Sequence, residues 1–259
     1  MLLEVIDANN WVRRVYEKDT SGLPLRNLFS HAFTHPVPMI YVFDGKNGKQ
    51  ARRKIYPEYK AGRAPADDQF YVTLELFKML VRCTNKVSIC IEGWEADDVI
   101  ADMVKRRTPG MKIKIHSNDG DFLQLVDHEE VMITDVNQKL KDIPREDIAL
   151  YKTLVGDTSD NIKGIKTFGP MTFTSMVEQG AKPNWNKVFS TRSMGEFQAA
   201  DLHLTNSQWL WCRQNFALLL AYWDVVNFLP VPQELITANT HVGKPDMAQA
   251  NAILKTVFQ

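Results

Sequence analysis

Nine acidic side chains stand singly or in tight clusters along the chain: Asp7, Asp44, Glu95 with Asp97 and Asp98, Asp119 with Asp121, and Asp157 with Asp160. Two like charges about 4 Å apart repel by roughly 4 kcal/mol at an effective dielectric near 20. Several such pairs would exceed the ~5–15 kcal/mol net stability of a domain unless a cation sat among them. Oxygen ligands without companion cysteine or histidine suit hard ions, magnesium or manganese rather than zinc. Two such ions can activate a water and stabilise the leaving oxygen of a phosphodiester, so these residues imply hydrolysis of a phosphate ester. Nine carboxylates exceed what two octahedral ions bind directly, so some would act through bound water. Taken singly, each acid has a plainer reading: Asp7, Asp157 and Asp160 as caps, Asp44-Gly45 as a turn. Glu95-Ala-Asp-Asp98 and Ser117-Asn-Asp-Gly-Asp121 resist it, because acids packed that closely repel unless something positive lies above them.

The elements that must position these acids are legible as alternating strands and helices. Leu2–Ile6, Pro38–Phe43, Lys86–Ile91 and Met111–His116 are short apolar, β-branched or alternating runs that predict strands. Tyr71–Val81 and Glu95–Arg107 carry apolar residues at helical spacing. This alternation predicts a mostly parallel sheet with crossover helices, and acids after the strands then share one edge, beyond the carboxyl ends. From about residue 144, helical segments predominate: Arg145–Val155, Pro170–Glu178, Met194–His203 and Ser207–Trp223. Asn184–Thr191 and Asn227–Pro245 lack periodicity and predict loops or packing arms. The expected division is an α/β core over 1–143 and a helical region over 144–259.

Hydrophobic residues make up 44% and charged residues 24%, which excludes disordered and fibrous classes. The 31 bases balance 31 acids, an unpromising ratio for a nucleic-acid partner. Setting the nine clustered acids aside leaves 22 acids against the 31 bases, an excess of nine positive charges for a phosphate track. Apolar stretches such as Phe216–Trp223 fall far short of the roughly 20 residues that cross a bilayer, and Glu4 and Asp7 sit where a signal peptide would be basic and apolar. Cys83, Cys90 and Cys212 are scattered, predicting neither a disulfide framework nor a zinc site. The expectation is a cytoplasmic protein without a membrane partner. Arg52, Arg53 and Lys54, then Tyr59, Lys60 and Arg63, form a basic run with aromatic interleaving, a composition suited to gripping phosphates and stacking a base.

Six motifs occur in order: Asp7-Ala-Asn-Asn, Phe43-Asp-Gly, Tyr56-Pro-Glu-Tyr-Lys-Ala-Gly-Arg63, Gly93-Trp-Glu-Ala-Asp-Asp98, Ser117-Asn-Asp-Gly-Asp-Phe122 and Gly156-Asp-Thr-Ser-Asp-Asn-Ile-Lys-Gly164. Over residues 2–172 the chain thereby resembles the 5′ nuclease or flap endonuclease family, which includes the nuclease domain of bacterial DNA polymerase I and stand-alone phage 5′ exonucleases. The resemblance implies a PIN-like nuclease core followed by a helix-three-turn-helix at about 150–180 within the helical region. It implies structure-dependent cutting of DNA at 5′ ends or flaps, in replication or repair, with two magnesium ions for which manganese can substitute. A replication polymerase is an implied partner, and the resemblance implies in addition a monomer in a bacterial or phage-infected cell.

By resemblance Asp7, Asp44, Glu95, Asp97 and Asp119 ligate the catalytic metal, supported by Asp98, and Asp121, Asp157 and Asp160 form a second metal group. Lys60 and Arg63 match the basic pair that holds the scissile phosphate at the base of a helical arch, here a compact one over about 57–92, and Tyr59 is expected to stack on the terminal base. Lys163, Gly164, Lys166 and Gly169 match the duplex-binding element, to which the resemblance adds a potassium ion. The chain departs from the family pattern at Met171, where relatives carry a base. Three other readings compete. A nuclease acting mainly on RNA primers in RNA-DNA hybrids shares every motif. A non-catalytic branched-DNA-binding protein would lack some of the acids, and a metal-dependent phosphatase would not need Tyr59, Lys60 and Arg63 or the two glycines.

Overall fold

The structure is a computed structural model, in which residues 2–19, 23–127, 129–134, 140 and 142–256 are described. The four expected strands are present as β1 (Leu2–Asp7), β2 (Met39–Asp44), β3 (Val87–Ile91) and β4 (Lys112–His116), joined by β5 (Val131–Thr134) and β6 (Thr240–Val242). They form one sheet of order β5-β4-β1-β2-β3-β6, parallel except for β6, which pairs antiparallel with β3. The helices are α1 (Ala8–Lys18), α2 (Pro24–Thr34), α3 (Gln50–Ile55), α4 (Asp68–Arg82), α5 (Ala96–Lys105), α6 (Ile148–Leu154), α7 (Pro170–Glu178), α8 (Lys182–Thr191), α9 (Asn206–Gln214), α10 (Phe216–Val226), α11 (Gln233–Ala238) and α12 (Met247–Lys255). Among the described residues no helix is long and apolar enough to cross a membrane.

The chain divides into two compact units. A sheet unit takes residues 1–50, 64–142 and 230–259, and a helical unit takes 51–63 and 143–229. In the sheet unit, period-two alternation sends Ile6, Tyr41 and Phe43 to one face, where they pack with α1, α2, α4 and α12 through Val12, Leu28, Phe77 and Ala250. Asp7 and Asp44 close β1 and β2 on the opposite face, in register with Val42 and Ile91 respectively. The helical unit is built around fully buried Trp185 and Tyr222, with Leu150, Phe173, Val188 and Leu219.

Several expectations need correction. Residues 230–256, expected within the helical region, group with the sheet and supply β6 and α12. All three residues of β6 are exposed, so no burial pattern marks it as a strand. Asn184–Thr191, expected to be a loop, lies within α8. Its Pro183 falls at the helix start, where a missing N–H is harmless, and Trp185, Val188 and Phe189 bury one helical face. Met194–His203 holds only a 3-10 turn at Ala200–Leu202, and Ser207–Trp223 is broken at Asn215 into α9 and α10. The expected arch helix exists as α4, but it is a core helix of the sheet unit. Phe70, Leu74, Phe77, Leu80 and Val81 face the sheet cluster, and β3 also falls within the predicted 57–92 stretch.

Candidate active site

The acids of the sheet unit sit where the strands end and α5 begins. Asp7 is the last residue of β1 and the N-cap of α1, accepting the Asn10 backbone N–H at 3.2 Å and the Ser117 hydroxyl at 2.9 Å. The plain capping role and the cluster role therefore coincide in one carboxylate. Asp44 ends β2, and one oxygen accepts the Ala96 N–H at 2.8 Å, tying it to the first turn of α5. That join depends on Gly45: a Cβ there would lie 1.8 Å from the Ile91 carbonyl oxygen, whereas glycine lets its N–H reach the Trp94 carbonyl at 3.0 Å. Glu95 occupies the N-cap position of α5 without capping it and is 6% exposed, while Asp97 and Asp98 fill the first turn. Asp119 caps the 3-10 helix Gly120–Leu125, accepting the Asp121 N–H at 3.0 Å.

These placements bring four of the predicted ligands into one electrostatic neighbourhood. The Asp7 carboxyl is held well above the usual carboxylate range, first by its burial and then by the negative charges of Asp44, Asp97 and Asp119, with the Ser117 hydrogen bond opposing. Among the described residues no three His, Cys, Asp or Glu side chains are already drawn into a metal-ion shell. The arrangement is a set of neighbouring acids and not a preformed cage. Its donors are oxygens throughout, and crowding that raises a carboxyl in this way is what a hard divalent cation relieves, so the residues fit such an ion.

Asn9, Asn10, Ser117 and Asn118 lie within the motifs, with no role predicted for them. The structure makes them the braces of the acids. The Asn9 side chain accepts the Asp44 N–H at 3.1 Å. Asn10 donates to the Asn118 side chain at 2.6 Å and accepts its N–H at 3.2 Å. The Ser117 hydroxyl, besides serving Asp7, accepts the Asp119 N–H at 3.1 Å. Small polar residues within three positions of a clustered acid were the available signal.

In the helical unit the remaining predicted acids have a different setting. Asp157 lies 2.6 Å from the ammonium of Lys152 and caps the turn Thr158–Asp160 by accepting the Ser159 N–H and hydroxyl at 2.8 and 2.6 Å. Burial would raise its carboxyl, but Lys152 and Ser159 outweigh it and hold the group below the usual range. Asp160 lies 3.8 Å from both Lys152 and Lys60, and its carbonyl accepts the Lys60 N–H at 3.1 Å. The Tyr56 hydroxyl donates to the Asn161 carbonyl at 3.0 Å and the Asn161 amide to the Glu58 carbonyl at 2.9 Å, which fastens the Tyr56–Arg63 segment to this turn.

Two residues assigned to DNA are corrected. Tyr59 is 1% exposed and packed in the helical core, with the Arg52 guanidinium 5.6 Å and the Lys60 ammonium 4.9 Å from its ring centre, so no face is open to a base. Arg52 is 3% exposed, and its Nε donates to the Val225 carbonyl at 3.1 Å, a structural role and not a phosphate grip. Arg52 beside exposed Arg53 and Lys54 reads as a basic run in sequence but as two faces of α3 in space. Arg63, Lys163 and Lys166 are exposed, and Lys60 is partly buried against Asp160. Gly164 (φ +66°) is required by its own chain, since a Cβ would meet the Val155 carbonyl carbon at 2.5 Å, whereas Gly169 opens α7 with free space around it.

Residues 3–152 match the family described as 5′-3′ exonuclease, N-terminal resolvase-like domain. A 5′-3′ exonuclease of Aquifex aeolicus is 33% identical over 231 residues, covering 78% of this chain and 79% of that protein. A thermostable DNA polymerase I of Thermus filiformis is 34% identical over 241 residues, and there the chain spans only 29% of the polymerase. Among solved structures, T5 5′-exonuclease with bound zinc ions superposes with a TM-score of 0.65 at 21% identity, covering 100% of this chain and 98% of that one. A match over more than half the chain, together with a third of residues shared with the Aquifex exonuclease along most of both chains, makes this chain a member of the 5′-3′ exonuclease and flap endonuclease family.

Proposed function

We propose that this chain is a magnesium-dependent, structure-directed 5′ nuclease that hydrolyses DNA phosphodiester bonds at 5′ ends or flaps, in replication or repair, using two metal ions. The observation that carries the reading is the Asp7 carboxyl, raised by burial and by the charges of Asp44, Asp97 and Asp119. Asp7, Asp44, Glu95, Asp97 and Asp119 would hold the ions, with Asp98 and Asp121 beside them on the same unit. Magnesium, or manganese in its place, supplies an activated water and charge neutralisation at the leaving oxygen. The T5 neighbour was solved with divalent ions bound, which supports the metal requirement.

This chain's own groups do the positioning. The Asn10 N–H and the Ser117 hydroxyl hold the two oxygens of Asp7, and the Ala96 N–H holds one oxygen of Asp44, so both carboxylates are oriented in advance, and an oxygen that accepts one hydrogen bond can still ligate an ion. The exposed bases of the helical unit, Arg53, Lys54, Arg63, Lys163 and Lys166, are the candidates for holding substrate phosphates. Lys60 joins them by exchanging its 3.8 Å pair with Asp160 for a phosphate oxygen. Asp157 and Asp160, which the sequence assigns to a second metal group, already have lysine counter-charges. We therefore assign the two-ion chemistry to the seven acids of the sheet unit.

The test is cleavage of 5′-labelled flap, nicked, gapped and RNA-DNA hybrid substrates with magnesium, with chelator, and with manganese added back. Products from flap or nicked DNA that vanish with chelator and return with manganese support the reading. Cleavage confined to the RNA strand of hybrids would replace it with a primer-removing nuclease, and chelator-resistant cleavage would remove the metal role.

A further inference from the structure

The basic groups of the helical unit do not account for every cation on the molecule. On the sheet unit, a cavity of about 230 Å³ is lined by Phe43, Ser88 and Cys90 from β2 and β3, Lys78 and Arg82 from α4, and Asn239–His241 at β6. We propose that it is a binding site for a phosphate monoester.

Three features give it that character. First, its lining holds two bases and no Asp or Glu: Lys78 and Arg82 lie one helical turn apart on the same face of α4. Lys78 is oriented by Glu75 at 2.8 Å outside the cavity and stands 5.5 Å from the Phe43 ring centre, while the Arg82 guanidinium has no hydrogen-bond or ion-pair partner among the described residues. Arg82 thus offers an uncommitted planar fork, which matches two phosphate oxygens at once.

Second, Ser88 lines the cavity and is 4% exposed, and its hydroxyl has no hydrogen-bond partner among the described residues. The hydroxyl keeps some access to solvent, so an anion oxygen entering the cavity would take the place of water as its partner. The neighbouring polar groups are engaged elsewhere: the Thr240 hydroxyl donates to the Ile236 carbonyl, and the Asn239 amide uses one N–H on the Leu235 carbonyl. Cys90 contributes bulk and not nucleophilicity, because burial pushes its thiol up and it donates to the Asp44 carbonyl at 3.5 Å.

Third, the volume lies below the roughly 300–1,000 Å³ of most small-molecule sites. It admits a phosphate carrying a sugar more readily than a whole dinucleotide. The cavity adjoins Asp44 through Phe43 and Cys90, but none of the clustered acids lines it, so phosphate binding measured in chelator tests it separately from the nuclease reading.

The experiment is isothermal titration of the full chain in chelator, with inorganic phosphate in one arm and 2′-deoxyribose 5-phosphate in the other, and deoxyribose alone as a blank. Saturable binding in either phosphate arm, weakened about tenfold in Arg82→Gln and about threefold in Ser88→Ala but unchanged in Arg26→Gln on α2, supports the site. The tighter arm tells whether a free phosphate or a sugar phosphate is the ligand. Thermal melts establish that each variant is folded, and Arg82→Lys, which keeps the charge and loses the fork, should fall between wild type and Arg82→Gln. Binding that does not saturate, or that Arg82→Gln and Ser88→Ala leave unchanged, would overturn the proposal.

Discussion

Carboxylates of the same kind are held in opposite ways in the two units. In the sheet unit Asp7 is buried among Asp44, Asp97 and Asp119, and its carboxyl is raised. In the helical unit Asp157 is also largely buried, yet Lys152 at 2.6 Å and the Ser159 hydrogen bonds draw its carboxyl down. Burial acts the same way on both, so the neighbours decide the sign. The first arrangement stores repulsion that a bound cation releases, and the second is an ion pair already complete. An acid cluster in a sequence therefore announces a metal site only when its bases lie elsewhere.

The largest test of this contrast is catalytic. Asp44→Ala and Asp119→Ala should each remove cleavage by about a thousandfold or more while DNA binding persists, because the exposed bases lie on the other unit. Unchanged turnover in both would place the chemistry elsewhere. Next, Lys152→Met should destabilise the fold by about 3–5 kcal/mol, since it strands Asp157 and Asp160 without their buried lysine, and urea unfolding measures this directly. The same assay on Asp97→Asn should show the reverse, a gain of about 0.5–2 kcal/mol in chelator as crowding around Asp7 eases. If both variants move stability in one direction, the contrast is wrong.

A smaller effect is expected from pH. His31 is held below the ordinary imidazole range by burial and by His35 and His116, and His116 is held down chiefly by burial although Glu4 accepts from it at 2.8 Å. Both folded-state values are lowered, so the stability they contribute is complete above about pH 6.5 and shrinks as pH falls through the folded values. Asp157 is a lowered carboxyl, so its contribution stays whole until pH falls below about 4. Between about pH 6.5 and 5 the melting temperature should drop in the wild type and drop less in His31→Phe. A flat profile in the wild type would show that the histidines titrate alike folded and unfolded.

Much of the sheet unit was legible because its signals are local. Four apolar runs gave β1 to β4, and acids placed directly after them gave Asp7 and Asp44 at strand ends. What escaped depends on distant partners. Nothing near Tyr59 says that Tyr222 and Phe173 share its core, so an aromatic beside lysines looked like a stacking platform. Nothing near Asp157 names Lys152 as its buried counter-charge, five positions upstream on α6 and off the motif. β6 has no pattern of its own and exists because β3 offers an edge.

That edge sets an order of events during synthesis. The strand that covers β3 is encoded after the whole helical unit, as is α12, whose Ala250 and Ile253 join the sheet cluster. At about 5–20 residues per second, a ribosome leaves the hydrogen-bonding side of β3 bare for roughly 7–30 s. A chain stalled or clipped before Pro230 would keep that side bare indefinitely, and would be far more prone to stick to its own copies than the finished protein.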